Sequence, residues 1–166
     1  MSSRMSRLPS ERLDTGLDAK SRRKVGEHLV RALADTYVLL LKTHAYHWNV
    51  VGPLFVPLHE LTETHYEDMF EAADELAERI RALGMKAPMA FRQLLPKTAV
   101  EEESGDKPAL EMVESLVNDH ETLCQRLRDA GLAADEADDL VTVDLITRRL
   151  AFHEKSVWML HAIAGK

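Results

Sequence analysis

Four residues of this chain could hold a metal ion in pairs: His59 with Glu63, and Asp74 with Glu78. Each pair is spaced i,i+4, so on a helix the two side chains lie about one turn apart and can share an ion. Imidazole together with carboxylate is a ligand set suited to iron, manganese or zinc. Acidic i,i+4 pairs are usually only a solvated helix face. Here the four residues share one stripe with Tyr66 and Phe70, and His47 lies shortly before them in the chain.

The helix carrying these pairs must have two faces. Leu58, Leu61, His65, Met69, Ala72, Leu76, Ile80 and Leu83 recur with helical period and form the apolar stripe of a core-facing side. His65 falls within that stripe and reads as a core histidine. His59, Glu63, Asp74 and Glu78 form a second stripe, turned far from the first, so they are not aimed at the interior of their own bundle. The two pairs are fifteen residues apart, or about 22 Å at 1.5 Å rise per residue. One ion cannot touch both. An identical helix running antiparallel, with a two-fold axis near Asp68 and Met69, brings His59 and Glu63 of one copy opposite Asp74 and Glu78 of the other. His47, at the end of the preceding helix, completes the first half. The site then consists of His47, His59 and Glu63 from one subunit and Asp74 and Glu78 from its mate.

The elements that must position these residues are helical. Stretches rich in Ala, Leu, Glu and Arg dominate, and no run alternates as a strand does. The expected helices are Ser21 to Trp48, stopped by Gly52-Pro53; Val56 to Gly84, with Pro57 in its first turn; Pro108 to Ala130, with Asp106 as a cap and Gly131 as its end; and Asp135 to Ala164. The long connection after Gly84, marked by Pro88 and Pro96, has room for a short helix near Ala90 to Leu95. The fold class is therefore all-α, an antiparallel four-helix bundle. Residues 1–18 read as a flexible N-terminal arm and 19–166 as the bundle domain.

Bulk properties narrow the setting. The single cysteine, Cys124, cannot form an internal disulfide and reads as a small apolar helix residue. The N-terminus lacks the apolar segment of a secretory signal, and the longest apolar run, Tyr37 to Leu41, is too short to span a bilayer. The expectation is a cytoplasmic protein with no membrane partner. Residues 1–24 carry a net +4, so the rest carries −11 to give the total of −7. An acidic body attracts cations, and the basic arm offers weak contact to nucleic acid, hence a nucleoid association.

The segment from His47 to Arg79 resembles the Dps family, the miniferritins that protect DNA during starvation. The family's His-Trp, Gly-Pro, Phe, His, acid and Asp-x-x-x-Glu-Arg pattern appears as His47-Trp48, Gly52-Pro53, Phe55, His59, Glu63 and Asp74 to Glu78-Arg79. Glu63 stands where the family often has Asp. The segment Phe152 to Leu160 also looks like the family's last helix. The resemblance implies a ferritin-like fold and a hollow homo-dodecamer. It implies iron as the metal and Fe(II) oxidation at two-fold interfaces, preferably by hydrogen peroxide, with ferric mineral stored inside. Asp74 and Glu78 would hold the tighter iron. Trp48 would act either as a sacrificial electron donor or as a packing residue at the interface. Asp139 and Asp144, with Asp135 and Asp138 behind them, are the candidates for lining an iron-entry pore.

Three other plans compete with this one. A ferritin-type centre inside one bundle wants Glu-x-x-His on two helices, and none of the eight histidines has Glu three residues before it. A DNA-compacting nucleoid protein with secondary iron chemistry would use Arg4, Arg7 and Arg12, which Glu11 and Asp14 dilute. A structural zinc or manganese protein would bind the metal without turnover.

Overall fold

The computed structural model describes residues 13–165. Among them the helices are α1 (Ala19–Asn49), α2 (Phe55–Ala82), the single turn α3 (Phe91–Leu94) leading into a 3-10 turn (Leu95–Lys97), α4 (Ala109–Asp135) and α5 (Leu140–Ile163). No strand occurs among the described residues. The chain is a four-helix bundle in which α1 packs along α2 and α4, and α4 along α5. The short helix expected in the connection is present as α3 and its 3-10 extension.

Local chemistry explains the boundaries. The Asp18 carboxylate caps α1 by accepting from the backbone N–H groups of Lys20 and Ser21, at 2.8 and 3.0 Å. Arg22, in the first turn of α1, donates to the carbonyls of Leu13 and Leu17, so the segment just before the helix lies back against it. Arg4, Arg7 and Arg12 lie outside the described residues. At the end of α2, Gly84 adopts φ +84°, and the Met85 and Gly84 N–H groups close onto Ile80 and Arg81. That is a Schellman ending, in which a side chain at Gly84 would be strained.

Two boundaries differ from the sequence reading. α4 does not stop at Gly131 but runs through it to Asp135. A Cβ there would meet Ile146 of α5 at 3.3 Å, so Gly131 serves close helix approach, not termination. α5 accordingly begins at Leu140, capped by Asp139 instead of starting near Asp135. Asp106 caps nothing, because α4 starts from Pro108 without a side-chain cap.

The expected core stripe of α2 is buried, with Leu61 half-buried at its edge. Polar clamps tie the long connection to the bundle. Buried Asp35 on α1 accepts from Ala99 N–H at 2.6 Å and Thr98 Oγ1 at 2.9 Å, with Arg126 3.6 Å away. Lys42 and Asp119 form a buried pair at 2.7 Å between α1 and α4. Tyr46 donates to Glu103 at 2.6 Å. Cys124 is buried and free, and burial pushes its thiol up to about 11.

The bundle interior also contains a cluster that the sequence does not reveal. His65 of α2, His120 of α4 and His153 of α5 converge with Phe152 and Arg149. His120 Nδ1 and His153 Nδ1 are 2.8 Å apart, so one ring donates and the other accepts. Burial lowers His65 to about 4 and His120 to about 3, and lowers His153 well below its usual value. These rings are therefore neutral in the folded chain at pH 7. The unfolded chain takes up protons below about pH 6.5 that the native core refuses, so stability is fully present above that pH and declines as pH falls toward 3. Removing one such ring should flatten the decline. His120→Leu is expected to lose about 1 kcal/mol less per pH unit than wild type between pH 6 and 5. Thermal melts at stepped pH check this, and parallel slopes would contradict it.

Candidate metal centre

The two histidines nominated from sequence are brought together by the tight connection between α1 and α2. His47 lies in the last turn of α1 and His59 in the first turns of α2, and their rings stack at 3.7 Å between centroids and 15° between planes. Their contacts are reciprocal. His47 Nδ1 lies 2.9 Å from the His59 carbonyl, and His59 Nδ1 lies 2.9 Å from the His47 carbonyl. A carbonyl can only accept, so both Nδ1 atoms carry the proton. In the neutral ring this tautomer leaves the lone pair on Nε2, the form in which imidazole binds a metal. The arrangement also satisfies the His47 carbonyl near the end of α1, where backbone acceptors run out of helical partners. Thr62 Oγ1 adds a contact to the His59 carbonyl at 3.1 Å.

Glu63 is exposed one turn beyond His59, and Asp74 and Glu78 are exposed farther along the same helix. Among the described residues, no three His, Cys, Asp or Glu side chains lie close enough together to hold one ion. The structure thus joins His47 to His59 but leaves Asp74 and Glu78 at the other end of α2. His65 is in the core, as its position in the apolar stripe required.

The surroundings are aromatic. Phe55 stacks on His59 at 5.0 Å, and Tyr66 meets His47 edge-on at 5.2 Å. His44, absent from the sequence reading, stacks between Tyr66 and Trp48 at 4.1 and 4.0 Å. Its i,i+3 spacing to His47 was the signal that could have found it. Trp48 and Phe70 are both exposed.

The pore candidates separate. Asp139 is 2% exposed and accepts from Arg79 at 2.6 Å, from Thr142 N–H at 3.0 Å and from Thr142 Oγ1 at 2.6 Å. Burial raises its carboxyl, but these hydrogen bonds outweigh it and hold the group below the usual range. Asp139 thus joins the end of α2 to the start of α5. Asp144 is exposed and lies 3.2 Å from Arg148, which also reaches Glu75 of α2. Asp135 and Asp138 are exposed at the corner between α4 and α5.

Known proteins share this architecture. The model of the ferritin-like domain family matches residues 26–166. A DNA protection during starvation protein of Brevibacillus brevis is 41% identical over 134 residues, covering 81% of this chain and 90% of the relative. A low temperature-induced protein of Nostoc is 42% identical over 153 residues, covering 91% and 86%. Among solved structures, a Dps protein from Bacillus brevis superposes with a TM-score of 0.84 at 38% identity, covering 88% of this chain and 98% of that one. A Vibrio cholerae DPS protein, described as a member of the ferritin-like diiron-carboxylate superfamily, superposes with a TM-score of 0.87 at 32% identity, covering 95% and 98%.

The position of Asp139 yields an expectation. Asp139→Ala removes a helix cap and strands the Arg79 guanidinium, and should lower stability by about 3 kcal/mol. Asp144→Ala should change stability by less than about 1 kcal/mol, because its ion pair is exposed. Denaturant unfolding of the two variants side by side checks the contrast.

Proposed function

This chain belongs to the ferritin-like family, as a Dps protein, and on that premise we propose that it oxidises Fe(II) at sites shared between two subunits and stores the ferric product in a hollow dodecamer. Iron is the substrate. Two Fe(II) ions give one electron each to hydrogen peroxide, which takes up two protons and leaves as two waters. The observation that carries this reading is the reciprocal lock of His47 and His59. It fixes both tautomers and leaves two Nε2 lone pairs for metal on the face that also bears Glu63.

That half-site needs carboxylates that its own chain does not bring near. Asp74 and Glu78 are on the same helix, about 22 Å from His59 and Glu63 along its axis. An antiparallel pairing of two α2 helices meets the need twice. Asp74 and Glu78 of the partner subunit face the lock, and the reverse holds at the second site. His47, His59 and Glu63 then supply one side, and the partner's Asp74 and Glu78 supply two carboxylates able to bridge ions. The exposed Phe70 lies on the same face of α2, where burial against a second copy would remove it from water. Net negative charge on the body favours cation arrival. Exposed Asp144 is the better placed of the two pore candidates.

A mixing experiment tests the shared site. His59→Ala and Asp74→Ala should each slow ferric absorbance growth strongly after anaerobic Fe(II) loading and peroxide addition. Disassembled and reassembled together, they should regain activity, because each mixed pair contains one site with both wild-type halves. Random pairing restores about a quarter of the sites. No recovery on mixing, in particles of the expected mass, would remove the inter-subunit reading.

A further inference from the structure

Among the described residues three ion pairs tie α2 to α5: Asp68 with Arg149 at 2.6 Å, Glu75 with Arg148 at 3.2 Å, and Arg79 with Asp139 at 2.6 Å. Two of them stand directly beside the candidate carboxylates, since Glu75 follows Asp74 and Arg79 follows Glu78. One step along an α-helix is a rotation of about 100°. A helix whose residues 75 and 79 are held against α5 therefore turns residues 74 and 78 away from α5, onto the outer face. The two ties differ in strength. The side chains of Glu75 and Arg148 are about half exposed, and Arg148 also reaches Asp144 at 3.2 Å, so this pair holds weakly. The Arg79 tie belongs to a closed network. Its Nη2 donates to Asp139 Oδ1 at 2.6 Å and its Nε to Thr142 Oγ1 at 2.9 Å. Thr142 Oγ1 donates in turn to Asp139 Oδ2 at 2.6 Å, and both of these residues are buried.

We propose that Arg79 is the positioning residue of the carboxylate half-site: gripped at two points by α5, it fixes the rotation and order of the last turns of α2 and so aims Asp74 and Glu78 at the iron. The inference rests on the ferroxidase reading above and names what holds the second half of that site in place. Arg79 itself touches no iron. It acts through Glu78, its neighbour in the chain, and through Asp74 one turn earlier.

The position of Glu78 makes such a grip necessary. α2 ends at Ala82, so Glu78 lies close to the end of the helix, where helices fray. The histidine half has its reciprocal lock onto backbone carbonyls. Asp74 and Glu78 are exposed side chains whose direction is set by the helix that carries them. A guanidinium held at two of its nitrogens fixes direction as well as distance, which one point charge does not. Small rotations matter, because a displacement of about 1 Å at a reacting centre can cost about a hundredfold in rate. A pair that only stabilised the fold would act on the whole subunit. A positioning pair acts on one half-site and spares the other.

Subunit mixing separates the two. Arg79→Gln removes the grip and keeps Asp139 as the cap of α5. Asp139→Asn keeps the shape of the network and discharges it. Each variant, assembled to the parental mass, should oxidise Fe(II) with peroxide about tenfold more slowly. Reassembled with His59→Ala subunits, either should recover about a quarter of the parental activity, because each mixed pair joins an intact histidine half to an intact carboxylate half. Reassembled with Asp74→Ala subunits, neither should recover, because every carboxylate half is then impaired. Recovery with Asp74→Ala, equal activity with both partners, or variants that are not slowed would overturn the proposal. Hydrogen exchange supplies a readout without iron. In assembled Arg79→Gln, the amides of residues 74–82 should exchange about tenfold faster than in the parent, with residues 58–66 unchanged. No change at 74–82, or equal acceleration along all of α2, overturns the grip. If the parent protein oxidises no iron, the ferroxidase reading fails and the catalytic role with it, while exchange still decides whether Arg79 orders the end of α2.

Discussion

The structure turns on one geometric constraint: α2 buries one face in its own bundle and carries its candidate ligands on another. One side of it supplies Leu58, His65, Met69, Leu76 and Ile80 to its own bundle. The other side carries His59, Glu63, Asp74 and Glu78, which the fold leaves outside that bundle. A straight helix cannot bend its ligand face back upon itself. The distance between the two pairs, set by the rise per residue, keeps them from sharing one ion; in the pairing proposed above each subunit would be half of two sites.

Such a half-site gains from being rigid before its partner arrives, since ordering it at assembly would cost conformational entropy. The lock between His47 and His59 supplies that rigidity with backbone carbonyls as the anchors. Carbonyls do not titrate, so both imidazole orientations are fixed by the fold itself. The rest of the bundle holds the lock in place. Lys42 and Asp119 join α1 to α4, Asp35 fastens the long connection, and Arg79 with Asp139 sets the end of α2 against the start of α5. Each of these buried charges has a partner of opposite sign or an N–H donor, which makes its burial tolerable.

Much of this was legible in the sequence, because periodicity is a direct record of which side of a helix is buried. The four helices, the core role of His65 and the short helix after Gly84 could all be read from it. What could not be read depends on contacts between distant residues. Gly131 has the local signature of a helix end, yet its role is set by Ile146 on the next helix. Asp139 looks like one acid in a cluster of four, and only the approach of Arg79 distinguishes it. The residues His65, His120 and His153 are so far apart in the chain that no spacing links them. His44 has only its i,i+3 spacing to His47 to mark it, and that spacing does not say which rings it stacks on.

The histidine cluster also bears on why the proposed metal chemistry is assigned to the outer face. Three imidazoles in a bundle interior are potential metal ligands, and the ferritin-like plan allows a metal site there. Here the interior lacks the charge such a site requires. Arg149 lies among the rings, over Phe152, and its positive charge adds to burial in disfavouring protonation of His120 and His153. The same charge would repel an entering cation. Asp68, the nearby carboxylate, is committed to Arg149 at 2.6 Å. His120 and His153 spend their Nδ1 atoms on each other. With the core closed in this way by a cation, a committed acid and a shared proton, the outward face of α2 is where imidazole and free carboxylates remain on one surface.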